Sequence, residues 1–379
     1  MDERMKLVAD YIEGRGSMSA LCAHYGVSRR TGYKWVNRYK AEGVDGLKER
    51  TRAPRRRPHT TSPAVVSMLI EAKHKHPVWG PKKLVAWLAE KHPNIDFPAP
   101  STAANWLGRH GLVKTRGKRH RVPAYSSPLA HAEKPNDVWC ADFKGQFKMG
   151  GGDWCYPLTI SDASSRFLVE CRGLPNTRAK NSQAWFQRAF ERYGLPMAIR
   201  TDNGAPFVTK AAGGLSRLSV WWHKLGIIHE RIEPGHPEQN GRHERMHLTL
   251  KLETARPPKS SFRSQQKAFD LFREEFNVER PHEALHMQAP GKHYVPSGRP
   301  MPATLGSMEY PDGYRVRKVV RGGRFRWPGR HAIHVGAPLE EEYVGCKQLD
   351  DERWEVYFGT LLLGFIDISM IDIGLIRAS

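Results

Sequence analysis

Three acidic residues lie where a metal-dependent reaction on phosphate esters would need them. Asp142 interrupts the alternating apolar segment "VWCADF", which predicts a strand, and Asp202 closes a second short strand pattern. If Asn240 caps a helix, Glu244 lies about one turn in, near the positive end of the helix dipole, where a carboxylate stays ionised. Three converging carboxylates repel one another and are tolerated mainly when a cation lies between them.

The predicted ligands are hard oxygens, so the expected ion is Mg²⁺, with Mn²⁺ as a substitute. Two such ions about 4 Å apart can hold the attacking and leaving oxygens of an in-line phosphoryl transfer. The pattern therefore predicts a two-metal centre.

Other candidate ligands are present near Glu244. Glu238 precedes the predicted helix and could instead neutralise Arg242, whereas Glu253 lies nine residues further on, about half a turn away around the helix. His243 and His247 are four residues apart and share a helix face, but the sequence shows no third ligand for a zinc site. Glu244 is the favoured third carboxylate.

The segment "RTDNGAPF", residues 200–207, is a turn signal, because Asn and Gly tolerate positive φ. We expect this turn to present Asp202 to the metal. Forty-one residues separate Asp202 from Glu244, and the stretch 209–219 is predicted to be a loop-like insertion.

The elements that position these residues begin near residue 135. "DVWCADFKGQF", "YPLTISDASS" and "RFLVECRGL" are three consecutive β patterns. A helix at about 178–193, the strand before Asp202, a helical stretch at 210–225, the strand "GIIHERI" and a helix at 240–255 follow. This order predicts an α/β catalytic core with a mixed sheet over 135–290.

The N-terminal region, residues 1–47, predicts a helix-turn-helix domain. A short helical pattern at 4–13 precedes two helices with a tight turn at Gly26 and a cap at Ser28; Tyr33, Trp35 and Val36 can face a small core. The outer side of the second helix is predicted to contact a DNA major groove through Arg29, Arg30, Thr31, Lys34, Asn37 and Arg38. An ordinary helical hairpin with a solvated basic face is the alternative.

A second helix-turn-helix domain is predicted over 63–113, with Ser101 as the cap of its third helix and DNA contacts from Thr102, Asn105 and Arg109. Basic linkers at 48–62 and 114–134 flank it, and Arg55, Arg56 and Arg57 are expected to contact phosphates or a minor groove. Short β patterns over 308–379 predict a small SH3-like β-barrel.

Composition limits the partners and the compartment. The 379 residues carry a net charge of +21, of which +14 lies on residues 1–133, which favours a polyanion such as nucleic acid. No apolar run is long enough to span a membrane, and no signal peptide is evident. The five scattered cysteines predict buried thiols rather than disulfides or a zinc site. We expect a soluble, cytoplasmic protein.

Taken together, "VWCADFKG", "TDNGAPF" and "HPEQNGRHER" resemble the catalytic core of bacterial insertion-sequence DDE transposases related to retroviral integrases, and "FNVERPHEAL" resembles the segment that commonly follows that core. The resemblance covers residues 1–300. Ala205-Pro206 departs from the usual pattern, in which a small residue and Glu are more common.

The resemblance implies an RNase H-like fold with Asp142, Asp202 and Glu244 as the metal-binding triad. It implies binding to the terminal inverted repeats of a mobile element, cleavage of its ends and joining of the 3′-hydroxyl to target DNA by at least a dimer, in a bacterial, nucleoid-associated setting. Lys251, seven residues after Glu244, either contacts a phosphate beside the scissile bond or is a solvated lysine. A regulator without activity and an RNase H-type nuclease are the alternative functions.

Overall fold

A computed structural model describes residues 2–51, 60–113, 132–143, 145–233 and 241–378. These residues form two compact units, Met1–Thr60 and Thr61–Ser379. The predictions for Arg55, Arg56 and Arg57, for most of the linker 114–134, and for Glu238 and Asn240 fall outside the described residues.

The first unit contains α1 (Asp2–Ile12), α2 (Met18–His24) and α3 (Arg29–Glu42). Ser28 caps α3 as predicted, because its Oγ accepts a hydrogen bond from the Thr31 N–H. Val36 is buried and Trp35 is partly buried, but Tyr33 is 41% exposed, so its predicted place in the core is wrong. Gly32 takes the buried position instead; a Cβ there would lie 2.5 Å from the Cys22 Sγ.

A three-helix bundle opens the second unit: α4 (Pro63–Lys75), α5 (Pro81–Lys91) and α6 (Pro100–Arg109). Leu69, Trp79, Leu84 and Leu107 form its core. Ser101 does not cap α6, because Pro100 already occupies the first helical position and Ala99 is the N-cap.

The next domain is built on a mixed six-stranded sheet of β1 (Val138–Phe143), β2 (Phe147–Lys148), β3 (Trp154–Asp162), β4 (Leu168–Leu174), β5 (Ala198–Thr201) and β6 (Ile228–Arg231). β1 pairs antiparallel with β3 and parallel with β5, and β5 pairs parallel with β6. The predicted mixed sheet is confirmed.

Four helices cover this sheet. α7 (Ala179–Tyr193) and α8 (Arg217–Lys224) pack on one face against Trp139, Leu158 and Ile160. α9 (Gly241–Thr254) and α10 (Phe262–Val278) form a second apolar cluster with β3 and β4. α10 was absent from the predicted elements.

The three-helix bundle is held against α10 and the segment after it by polar contacts, which we call the bundle seam. His76 Nδ1 lies 3.1 Å from Glu275 Oε1, and the Trp87 indole N–H donates to Glu279 Oε2 at 3.3 Å. Lys292 Nζ lies 2.6 Å from Glu90 Oε1. Two of these contacts join an imidazole and an indole of the bundle to acidic side chains at the end of α10, and the third joins an acid of the bundle to Lys292.

The C-terminal strands are β7 (Arg315–Lys318), β8 (Arg324–Trp327), β9 (His331–His334), β10 (Tyr343–Gln348), β11 (Arg353–Phe358), β12 (Leu361–Asp367) and β13 (Ile376–Arg377). They form an antiparallel five-stranded sheet in the order β13-β12-β11-β10-β7 and a separate β8-β9 pair. Among the described strands no pairing joins β7 to β13, so the SH3-like barrel stays a prediction.

The predicted insertion at 209–219 attaches these C-terminal sheets to the domain that is built on the six-stranded sheet. Ala212 and Leu215 belong to the C-terminal apolar cluster, and the Ala212 N–H donates to the Val335 carbonyl oxygen at 3.1 Å. The insertion is therefore part of an internal contact and not a free loop.

Candidate active site

Strand alternation places Asp142 on the side of the sheet where α9 lies. On β1, Trp139 and Ala141 point into the cluster beneath α7 and α8, so Asp142 points to the opposite face. On β3, Leu158 and Ile160 share that first cluster, which leaves Thr159 facing α9. The strand period therefore puts an acid and a hydroxyl side by side under one helix.

Asp202 directly follows β5, the strand that pairs with the Asp142 strand β1. The parallel pairing of β1 and β5 matches Cys140 with Arg200. Continued by two residues, this register would place Asp142 beside Asp202 at the carboxyl ends of strands about 4.8 Å apart. Both side chains are partly buried.

Asp202 is fixed by its own turn. Its Oδ1 accepts a hydrogen bond from the Gly204 N–H at 3.1 Å, and its carbonyl oxygen accepts one from the Thr201 hydroxyl at 2.8 Å. Neither Asn203 nor Gly204 has positive φ, so the predicted reason for the glycine is wrong. The glycine is required because a Cβ at 204 would lie 3.1 and 3.3 Å from the two carboxylate oxygens.

Gly204→Ala should lower the activity of this site by about tenfold, because displacement of a catalytic group by a fraction of an ångström is costly. The measurement is the initial rate of the metal-dependent reaction proposed below, with a thermal melt to show that the fold is retained. Gly306→Ala is the matched control, because an added Cβ there meets nothing within 4 Å. Equal rates for the two variants would contradict this role.

Two histidines of α9 lie over Asp142. The Thr159 Oγ1 is 2.7 Å from Nε2 of both His243 and His247, and it lies 3.2 Å from the Asp142 carbonyl oxygen. The Ser161 Oγ is 3.1 Å from His243 Nδ1, and His247 Nδ1 is 3.7 Å from Asp142 Oδ2. We call Thr159, Ser161, His243 and His247 the hydroxyl–imidazole cluster.

The number of available protons determines which groups of this cluster donate and which accept hydrogen bonds. The Thr159 hydroxyl has one proton, so at least one imidazole must donate to it through Nε2–H. Burial lowers the pKa of His243 to about 3, so His243 is neutral and can donate to Thr159 while accepting from Ser161. If Thr159 then donates to His247, the proton of His247 lies on Nδ1, directed at the Asp142 carboxylate.

No third metal ligand for His243 and His247 is evident from the sequence alone, but the fold brings Asp142 close to both histidines. Ligand atoms of these three side chains lie within 4.8 Å of one another. Both nitrogens of His243 already contact hydroxyl groups, however, so His243 is poorly placed to bind a metal. The oxygen ligands of Asp142 and Asp202 fit Mg²⁺ better.

Glu244 lies in the first turn of α9, as predicted, but on its exposed side. Within the described residues, its carboxylate does not join Asp142 and Asp202 in a group with ligand atoms inside 4.8 Å. It is three residues from His247, which places their Cβ atoms about 5–6 Å apart at the edge of the site. The three-carboxylate site remains a prediction.

Glu253, the other candidate for the third carboxylate ligand on this helix, has a different partner. Its Oε1 accepts a hydrogen bond from Arg280 at 2.8 Å, and burial raises its pKa while Arg280 opposes that shift. Glu253 therefore balances a buried arginine on the far side of α9.

The predicted DNA-contacting side chains are mostly accessible. On α3, Arg29, Arg30, Lys34 and Asn37 are exposed, while Thr31 and Arg38 are partly buried. On α6, Asn105 and Arg109 are exposed and Thr102 is partly buried; Lys251 on α9 is also partly buried. The five cysteines are buried free thiols, as expected. No helix in the described part of the chain has the length and apolarity to cross a membrane.

Family models match the chain in the same order as the domains described above. An "Integrase core domain" matches residues 132–237, a second integrase core model matches 225–290, and a "Homeodomain-like domain" matches 1–48 and 31–107. A protein of insertion element IS407 from Burkholderia multivorans is 25% identical over 243 residues, covering 62% of this chain and 82% of that protein. The chain thus contains an integrase core domain and homeodomain-like domains, and it is similar to proteins of bacterial insertion elements.

A second insertion-element protein and a solved viral structure are also similar to parts of the chain. A protein of insertion element IS476 from Xanthomonas euvesicatoria is 26% identical over 189 residues, covering 48% of this chain and half of its relative. A solved simian T-cell lymphotropic virus intasome, in complex with a PP2A regulatory subunit, aligns with 16% identity and a TM-score of 0.38. That alignment covers 77% of this chain and 97% of the viral chain. Integrase cores are metal-dependent, and the homeodomain-like domains imply DNA binding.

Proposed function

We propose that this transposase binds the terminal inverted repeats of its own element, cleaves the element ends and joins each 3′-hydroxyl to target DNA. The observation that carries the proposal is the parallel pairing of β1, which holds Asp142, with β5, which ends one residue before Asp202. Glu244 lies in the first turn of α9. This arrangement is built from the residues that the integrase-core resemblance assigns to catalysis.

In this proposal each carboxylate has a defined task. Asp142 is oriented by the hydroxyl–imidazole cluster, Asp202 by the Gly204 turn, and Glu244 closes the site from α9. Two Mg²⁺ ions, or Mn²⁺ in their place, would be held by the three carboxylates and would stabilise charge on the attacking and leaving oxygens. No nucleotide cofactor is needed, because each joining step exchanges one phosphodiester for another.

The remaining parts serve DNA binding and assembly. The two helical domains recognise the repeats, with phosphate contacts from the basic linkers, and Lys251 contacts a phosphate beside the scissile bond. The C-terminal strands, which we propose complete an SH3-like barrel, bind DNA or a second subunit. Two ends must be joined together, so the active form is at least a dimer.

A gel assay tests the activity. Purified protein, Mg²⁺ and a labelled duplex carrying the repeat that flanks its gene should give a nicked product and then a joined product, both absent with EDTA. DNA binding without either product would support a regulator instead. Cleavage confined to the RNA strand of a hybrid would support an RNase H-type nuclease.

The DNA-reading role of α3 has its own test. Lys34→Ala should weaken binding to the repeat and reduce the slope of log Kobs against log salt by about 1, because one phosphate contact is lost. Lys40→Ala is the control: Lys40 is also exposed on α3 but lies six residues on, well around the helix. If both variants changed the slope equally, the recognition face of α3 would be wrongly assigned.

A further inference from the structure

A basic cavity of about 430 Å³ lies beside the active site. Ser161 and His243 of the hydroxyl–imidazole cluster are among its lining residues, but its cations have no role in the mechanism above. Its walls come from α5, the ends of β1 and β3, α9 and the segment after α10. Four cations line it: Lys83, Arg166, Arg245 and Arg280. Arg280 and His282 belong to "FNVERPHEAL", the segment whose role the proposed function leaves unexplained.

The acidic groups of this cavity are already engaged. Asp162 accepts hydrogen bonds from the N–H groups of Asn136 and Ser165, each at 2.7 Å. Glu283 lies 3.7 Å from Lys82, a residue that does not line the cavity. The cavity therefore has an excess of positive charge.

Two of the cations are left for a ligand. Arg280 is paired with Glu253 at 2.8 Å, but the side chains of Lys83 and Arg245 make no hydrogen bond or ion pair with a described residue. Lys83 is partly buried, and its burial outweighs the attraction of Glu283 and Glu253, so the charged form is disfavoured. A bound anion would favour the charged form.

His282 adds a neutral donor to the same wall. Its Nε2 is buried and has no hydrogen-bond partner among the described residues. Burial and the charges of Lys83, Arg280 and Arg166 lower its pKa to about 3, so the imidazole is neutral and can donate one N–H to an anion. Buried polar groups without partners are rare, and this one lines the cavity with the two available cations.

We propose that this cavity binds a backbone phosphate of DNA through Lys83, Arg245 and His282. A phosphate has several acceptor oxygens, which suit an ammonium, a guanidinium and an imidazole N–H together. Met246 and Phe276 provide an apolar wall for the adjoining sugar. The DNA assignment rests on the proposed function: Arg245 directly follows Glu244, so the bound phosphate would lie close to the catalytic carboxylates.

Calorimetric titration with inorganic phosphate at low ionic strength tests the site. We expect Lys83→Met and Arg245→Gln each to weaken phosphate binding by about tenfold or more, because each removes a charge-assisted contact. Lys82→Met is the matched control, because Lys82 is adjacent in sequence but faces Glu283. No phosphate binding by the wild type, or equal losses in all three variants, would overturn the proposal.

Binding to a 30-base-pair duplex of arbitrary sequence identifies the source of the phosphate. Lys83→Met and Arg245→Gln should lower duplex affinity relative to Lys82→Met. If they lose phosphate binding but keep duplex affinity, the cavity takes free phosphate and the DNA assignment is wrong. Neither titration requires strand joining, so failure of the proposed activity would not be confused with failure of this site.

Thermal melts separate a ligand-binding role from a structural one. Burial and repulsion from Arg280 and Arg245, against opposing attraction from Glu283 and Glu253, lower the pKa of Lys83 from 10.5 to about 8, and neutral His282 adds no charge. The charged lysine therefore destabilises the fold fully below pH 8, and this cost fades between pH 8 and 10.5. Without phosphate, Lys83→Met should raise Tm at pH 7 and lose that gain near pH 10.5. A lower Tm at pH 7 would indicate a structural lysine.

Discussion

Asp142→Asn is expected to reduce strand joining by about a thousandfold, as loss of a preorganised charged group in a phosphoryl-transfer site does. The amide has no negative charge, binds Mg²⁺ poorly and loses the electrostatic attraction of a carboxylate for the His247 Nδ1 3.7 Å away. DNA affinity should be unchanged, because the helical domains are remote from this side chain in sequence and keep their own cores. Joining and gel-shift assays on the same preparation measure both quantities.

Two further substitutions sharpen this test. Glu274→Gln, which changes an exposed acid on α10, is the control and should join DNA normally. Glu253→Gln should reduce stability rather than joining, since it leaves Arg280 buried without its carboxylate partner. Normal joining by Asp142→Asn, or a larger loss in Glu253→Gln, would reject the assignment of the catalytic acids.

Thr159→Val is expected to reduce the free energy of unfolding by about 2–4 kcal/mol, because it removes the hydroxyl that contacts the Nε2 atoms of two buried imidazoles. The two side chains are similar in shape, so the loss is due to the hydroxyl. Joining should also fall, by about ten- to a hundredfold, because His247 loses the contact that directs its Nδ1 at Asp142. Urea denaturation followed by tryptophan fluorescence measures the first effect.

Thr159→Ser is the matched variant. It keeps the hydroxyl and removes one methyl group, for an expected cost of about 1 kcal/mol. If Ser and Val were equally destabilising, the hydroxyl would contribute no more to stability than one methyl group does. If Val lost stability but joined DNA normally, the cluster would support the fold without orienting Asp142.

Local patterns predicted the elements that carry the two aspartates. Alternation around Asp142 and the apolar run before Asp202 are properties of a few adjacent residues, and both strands form as expected. The pairing that brings them together is long-range, and the sequence indicated it only through the resemblance to integrase cores. The level register of Cys140 with Arg200 required the structure.

The hydroxyl–imidazole cluster shows what local patterns leave out. His243 and His247 were recognised as sharing a helix face, but their partners lie more than eighty residues earlier on β3. Thr159 alternates with Leu158 and Ile160, a signal that a polar side chain faces a covered side of the sheet. That signal could have predicted a partner for the histidines, although not its identity.

α10 was missed for a different reason. Its capping box of Ser261 and Ser264 and the spacing of Phe269, Phe272 and Phe276 are both helix signals. They follow "RPPKS" at 256–260, where the proline pattern predicts the end of the preceding helix. The SH3-like barrel illustrates a different difficulty. Short β patterns predicted the strands, but whether the sheet closes into a barrel depends on long-range strand pairings, which alternation does not encode.

The bundle seam has a consequence for the geometry of the DNA substrate. His76, Trp87 and Glu90 attach the helical bundle to α10 and the segment beyond it. If α6 reads the repeat as proposed, the duplex would therefore meet the proposed catalytic carboxylates at a fixed offset. One added base pair between the recognised sequence and the scissile phosphate would rotate that phosphate by about 35° around the duplex axis. In that case the protein would set a base-pair count, and the element's ends would have to keep that count for their bonds to face the carboxylates.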